Sequence, residues 1–166
     1  MAAAGALTLL VGAVPEELAR AQPVLDAFSK QTIHFGAIGA GTVYKLMINL
    51  QGAIQIASIA EGMALAERAG LNLSMVAEAI ASGQAASPQV VRNARRIVEG
   101  DHEQNVQFTP QLRLKDVDYA LRLARKLNIG TPFGSTAGAA YAELCERGCG
   151  QSNESKIIDV ARTQPV

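Results

Sequence analysis

The sequence carries no excess of either charge: fifteen Lys and Arg residues stand against fifteen Asp and Glu. A basic face able to neutralise DNA, RNA or anionic lipid is therefore not expected, and small molecules or other proteins are the expected partners. Cysteine is scarce. The two present, Cys145 and Cys149, lie four apart near an expected helix end without Cys or His companions. That excludes a zinc cluster and a disulfide framework and leaves two reduced thiols, with no metal site expected. Long hydrophobic runs are missing as well, since a membrane span needs roughly 18 or more apolar residues in a row. The opening MAAAGALTLLVGA lacks the basic region of a signal peptide and is too short to span, so a cytoplasmic protein is expected. There is no linker, repeat or low-complexity segment, and 166 residues suffice for one domain with a sizeable core.

What is present centres on Gly36–Gly70. From about Thr42 this stretch reads as one helix, much longer than the ~11–12 residues of an average helix. Between Lys45 and Glu61 it has no charge, and Val43, Leu46, Met47, Leu50, Ile54, Ile56, Ile59 and Met63 point to nearly every side. Such a helix is expected to be buried by others. Asn49, Gln51 and Gln55 interrupt it too often for a membrane span.

Around this helix the signals are local. Ala6–Gly12 reads as a short strand buried on both faces, and Thr32–Phe35 as a second. Pro15 opens a helix that Pro23 should kink or divide. Gly70 caps the long helix, and Asn72 or Ser74 starts the next. Ser87-Pro88 and Thr109-Pro110 are cap-and-proline pairs, the first opening a helix whose Arg92, Arg95 and Arg96 should face water. Gly100–Gln107 reads as a polar loop. Pro132 opens a helix that Gly148 closes, and Ser155–Arg162 forms a last short one. The sum is a mainly α domain of about seven helices behind one or two strands.

Two places carry chemistry-bearing residues. Lys45 and Asn49, at i and i+4, project from one helix face. A lysine among apolar neighbours either has a partner or a task, or is a side chain that snorkels to water beside the helix start. Lys115-Asp116 is the second, alternatively a solvated charged pair, with Phe108 then an ordinary core aromatic. Gly36, Gly39 and Gly41 permit close backbone approach, but G-x-x-G-x-G is not the phosphate-binding G-x-G-x-x-G. His34 and His102 have no catalytic or metal context, and Tyr44 is expected to pack.

Four ordered stretches carry a resemblance. Gly39-Ala-Gly41-Thr-Val-Tyr-Lys45-Leu-Met-Ile-Asn49 resembles the G-x-G-x-x-x-K-x-x-x-N signature of the β-hydroxyacid dehydrogenases, which include 3-hydroxyisobutyrate dehydrogenase and tartronate semialdehyde reductase. Gly5–Gly12 is similar to the last strand of that family's nucleotide domain, Leu114-Lys115-Asp116-Val117 to its KDL segment, and Gly148–Ser155 to its closing glycine-rich turn. The imine reductases, similar in fold, lack the lysine.

The resemblance implies a fold like the carboxy-terminal domain of 6-phosphogluconate dehydrogenase, with residues 1–36 as a remnant of the nucleotide-binding domain edge and 37–166 as the all-α catalytic and dimerisation domain. It implies that Lys45 is the catalytic lysine, that Asn49 binds substrate, and that Phe108, Lys115 and Asp116 line the cofactor. The cofactor is NAD or NADP, the substrate a small 3-hydroxy acid or its semialdehyde. The family's amino-terminal Rossmann half is not in the sequence, so the chain alone is expected to be inactive. The alternative is a non-catalytic homodimerisation module, and a dimer is expected either way.

Overall fold

The computed structural model describes residues 4–163. They fall into two compact units that divide between Ile48 and Asn49, inside the long helix.

The first unit is a strand, a helix and a parallel strand. The apolar run forms β1 (Leu7–Val11), Pro15 opens α1 (Pro15–Leu25), and β2 (Ser29–His34) returns beside β1. Thr8 pairs with Gln31 and Val11 with His34, after a register shift between Leu7 and Thr8. Pro23 does not divide α1, because it lies in the last turn and the helix stops two residues later. None of the β1 residues is fully buried, contrary to the expectation of a strand covered on both faces. Among the described residues the sheet has two strands, and such a ribbon cannot cover both of its own faces.

The glycines before the long helix serve the chain itself. A Cβ on Gly41 would stand 2.3 Å from the Leu10 carbonyl oxygen, and one on Gly12 would stand 2.4 Å from that of Ala37. Backbone therefore meets backbone where α2 (Ala40–Arg68) begins, and only glycine fits. Tyr44 packs as expected, its ring stacked on Phe35 with centroids 4.3 Å apart.

The second unit is helical throughout. Its helices are the remainder of α2, then α3 (Leu73–Ser82), α4 (Pro88–Glu99), α5 (Pro110–Lys126), α6 (Pro132–Leu144) and α7 (Ile158–Thr163). A π-type turn (Cys145–Cys149) follows α6, and a 3-10 turn (Glu154–Ile157) precedes α7. The local signals become physical caps. Gly70, at φ +75°, closes α2 as Leu71 N–H donates to the Ala66 carbonyl and Gly70 N–H to that of Glu67. The side-chain oxygens of Asn72, Ser87 and Thr109 accept from the N–H groups of Met75, Val90 and Leu112.

The core forms where α2 turns Ala53, Ile56, Ala60 and Met63 inward, beside Val117, Tyr141, Leu144 and Ile158. Burial is confined to one broad face: Gln51, Ser58, Glu61 and Leu65 remain exposed. An apolar helix thus stays partly uncovered, unlike the all-round burial its composition suggests. Gly134 and Gly138 set how closely α6 approaches its neighbours. Their Cβ atoms would meet Leu50 Cδ1 at 2.7 Å and Val117 Cγ1 at 3.0 Å. Among the described residues, no helix is long and apolar enough to cross a membrane.

Candidate functional site

Lys45 lies on α2, where its side chain borders a shallow open cleft with Thr8, Leu9, Leu10, Gly41 and Thr42. The unit formed by residues 1–48 therefore presents an ammonium group beside strand backbone and two threonine hydroxyls. Proton transfer and hydrogen bonding to a small polar ligand are the chemistry such a set allows.

Asn49, one turn further along α2, has a partner that spacing could not reveal. Its Nδ2 donates to Asp116 Oδ2 on α5 at 2.8 Å, across 67 positions of sequence. The bond fixes the amide plane, with Nδ2 toward α5 and Oδ1 turned away from the carboxylate. Asp116 is therefore not half of a solvated pair. Its side chain is 14% exposed, against 50% for the adjacent Lys115, whose Nζ lies 3.3 Å from Asp116 Oδ1. One carboxylate thus serves an amide on one oxygen and an ammonium on the other.

Behind this pair stands a group that the sequence did not single out. Arg113, one turn before Val117 on α5, is 4% exposed, and Glu154 from the closing turn is 1% exposed. Arg113 Nε and Nη2 both donate to Glu154 Oε2, at 2.8 and 2.6 Å, and Arg92 Nη2 donates to Oε1 at 2.8 Å. The Arg113 guanidinium also covers the Phe108 ring at 4.4 Å, and its Nη1 reaches the Asn49 carbonyl oxygen at 3.4 Å. Phe108 is thus a cation–π partner whose carbonyl accepts the Glu154 N–H. Tyr141, fully buried nearby, has its phenol held well above its ordinary pKa by burial first and by the Glu154 charge second. The α4 arginines, expected in water, divide accordingly. Arg92 serves Glu154, while Arg96 holds the carbonyls of Asp101, Gln104 and Asn105. Arg95, the third of these arginines, is exposed.

His102 is likewise buried inside what reads as a polar loop. Its Nδ1 lies 2.9 Å from Ser155 Oγ, which donates to Asn153 Oδ1 at 3.2 Å, and its carbonyl accepts the Asn153 N–H. Burial lowers the His102 pKa below its ordinary 6.5; Lys156 and Arg162 add to this, while Asp159 and Glu103 oppose it. The unfolded chain therefore takes up this proton first. The contribution of His102 to stability is fully present above pH ~6.5 and is lost as pH falls through the depressed value. Thermal melts should show a decline below about pH 6.5 that His102→Gln flattens. An unchanged slope in the variant would assign the decline to other groups.

Of the five sequence-expected residues, Asn49, Asp116, Lys115 and Phe108 belong to one neighbourhood of the second unit, and Lys45 shares α2 with Asn49. Arg113 and Glu154 were missed. An arginine one helical turn from the expected Asp116 face was the available signal for the first, and the place of Glu154 within the Gly148–Ser155 stretch was the signal for the second.

Comparison with known proteins places the chain in a family. Residues 39–161 match the family described as "NAD-binding of NADP-dependent 3-hydroxyisobutyrate dehydrogenase". The mitochondrial 3-hydroxyisobutyrate dehydrogenase of Drosophila melanogaster is 29% identical over 95% of this chain and 50% of its own length. The NAD-dependent L-serine dehydrogenase of Pseudomonas aeruginosa is 31% identical over 98% of this chain and 57% of its own length. The structure of Mycobacterium tuberculosis 3-hydroxyisobutyrate dehydrogenase with L-serine superposes with a TM-score of 0.86 at 29% identity, covering 98% of this chain and 57% of that one. The chain thus spans about half the length of the curated relatives it matches. It belongs to the β-hydroxyacid dehydrogenase family, and the part it spans carries that family's mainly α-helical domain.

Proposed function

We propose that this chain supplies the proton-transfer residue and a substrate-orienting amide to an NAD(P)-dependent oxidoreductase that interconverts a small 3-hydroxy acid and its semialdehyde. The observation that carries the reading is the Asn49–Asp116 hydrogen bond at 2.8 Å. Asn49 is partly buried, and the carboxylate that satisfies its Nδ2 also holds its oxygen in a fixed direction, which supports an orienting role. Lys45 on the same helix then takes the proton of the substrate hydroxyl on its amine form, or returns it from the ammonium in the reducing direction. The relatives support this substrate class: 3-hydroxyisobutyrate and L-serine, named for two of them, both carry a hydroxyl on the third carbon.

The nicotinamide cofactor, when bound, accepts or supplies the hydride. The residues present fit part of such a group. Lys115 offers a half-exposed cation, and Phe108 and Asp116 lie on the same neighbourhood of α5 and its approach. The sequence has no G-x-G-x-x-G turn for a pyrophosphate, so we read the isolated chain as inactive. In a protein of the relatives' full length that carries this chain, Asn49→Ala should lower kcat/KM for the hydroxy acid roughly ten- to a hundredfold, the worth of an oriented hydrogen bond to a charged or reacting group. Cofactor affinity should hold. Undiminished kcat/KM would remove Asn49 from the site.

A second role is favoured by a separate observation. Val43 and Met47 on α2 are 45% and 51% exposed, and Ile48 stands open beside them. We read this stripe as the face that a second copy covers, so that the chain is a homodimer. Light scattering should return twice the mass of 17.4 kDa. A monomer at that mass would contradict the dimer and leave the catalytic reading standing.

A further inference from the structure

The buried Arg113–Glu154 pair is costly to keep. Two ions removed from water contribute less than their attraction suggests, and apolar replacements of equal volume are often as stable. Its connections point to a task. From one guanidinium, Nε and Nη2 close on Glu154 Oε2 at 2.8 and 2.6 Å, Nη1 reaches the carbonyl oxygen of Asn49 at 3.4 Å, and the planar face lies 4.4 Å over the Phe108 ring. Glu154 is in turn fixed from both ends. Its N–H donates to the Phe108 carbonyl at 2.9 Å, and its other oxygen accepts from Arg92 at 2.8 Å. Four segments distant in sequence therefore meet on one carboxylate and one guanidinium: α2 at Asn49, α4 at Arg92, α5 with its approach at Phe108, and the closing turn at Glu154.

We infer that Arg113, clamped by Glu154, is the positioning residue that sets where Asn49 and Phe108 stand relative to Asp116. Arginine is required rather than lysine because the three contacts use the fork, the remaining nitrogen and the flat face at once, which a point-charge ammonium cannot do. Glu154 is the anchor because both of its oxygens are engaged, so the guanidinium cannot rotate without breaking a charge-assisted bond. The inference rests on Asn49 being a site residue, but its test reads geometry and not turnover, so either can fail without the other.

The test is solvent exchange of the Asn49 side-chain amide, followed by NMR in the 166-residue chain and in three variants. Arg113→Lys keeps a charge for Glu154 but loses the fork and the stacking face. Glu154→Gln keeps shape and hydrogen bonding but loses the clamp's charge. Arg162→Gln removes ion pairs with Glu67 and Asp159 and serves as a control for lowered stability alone. The expected result is a rise of about tenfold in Asn49 amide exchange in both Arg113→Lys and Glu154→Gln, with the Phe108 ring signals shifted, and no rise in Arg162→Gln. Parent-like exchange in folded Arg113→Lys and Glu154→Gln would overturn the inference. An equal rise in Arg162→Gln would overturn it too, as would loss of the fold in both site variants, because the pair would then serve stability alone.

Discussion

Replacing Lys45 by alanine, in a protein of the relatives' full length that carries this chain, is expected to lower kcat by about 10²–10⁴, the usual contribution of a general acid–base group. The Kd of NAD(P)H should change little. The argument is one of bonds. Oxidation of a secondary or primary alcohol removes a hydride from carbon and a proton from oxygen, and without an acceptor within hydrogen-bond reach of that oxygen the proton must leave to water from a developing positive centre. In the proposed reading the Lys45 amine is that acceptor. Lys45→Arg should not rescue the loss, because a guanidinium keeps its proton at any pH where the protein is folded. A rescued rate would show that only positive charge at position 45 is needed, and proton transfer would have to be assigned elsewhere.

The second large effect concerns the fold of the helical unit. Arg113→Ala should destabilise it by about 3–5 kcal/mol, as urea unfolding would measure, because it leaves the Glu154 carboxylate buried with half of its partners gone. The loss would be a large share of the total for a domain of this kind. The double variant Arg113→Met, Glu154→Leu should recover a good part, since an apolar pair leaves no buried charge unpaired and Arg92, which loses its carboxylate, is open to water. If the double variant were less stable than Arg113→Ala, attraction within the pair, and not the cost of an orphaned ion, would dominate. Recovered stability should not restore the Asn49 geometry, which separates the folding role of the pair from its positioning role.

How far the sequence foretold this molecule depends on distance along the chain. Gly70, Asn72, Ser87 and Thr109 act within four or five residues of themselves, so their roles as caps were legible in advance. The Lys45–Asn49 spacing was legible for the same reason, and four ordered stretches tied it to a family. Asp116 on Asn49 was not. Nothing in a helix period says which carboxylate, 67 positions away, will face a given amide. Glu154 and His102 were hidden in polar segments. Both look solvated in sequence, and both become buried because the closing turn folds back on Phe108 and Ser155 stands under His102. The apolar run of α2 misled in the opposite direction. Composition promised burial all round, but only the face bearing Ala53, Ile56, Ala60 and Met63 is covered.

The measurement that bears most directly on the whole account is NAD(P)H formation from a panel of small 3-hydroxy acids by a protein of the relatives' full length that carries this chain, run beside its Lys45→Ala variant. The account predicts turnover of at least one such acid by the parent and a loss of at least about a hundredfold in the variant with cofactor binding retained. Absence of turnover with every acid in the panel, or equal rates for parent and variant, would contradict it.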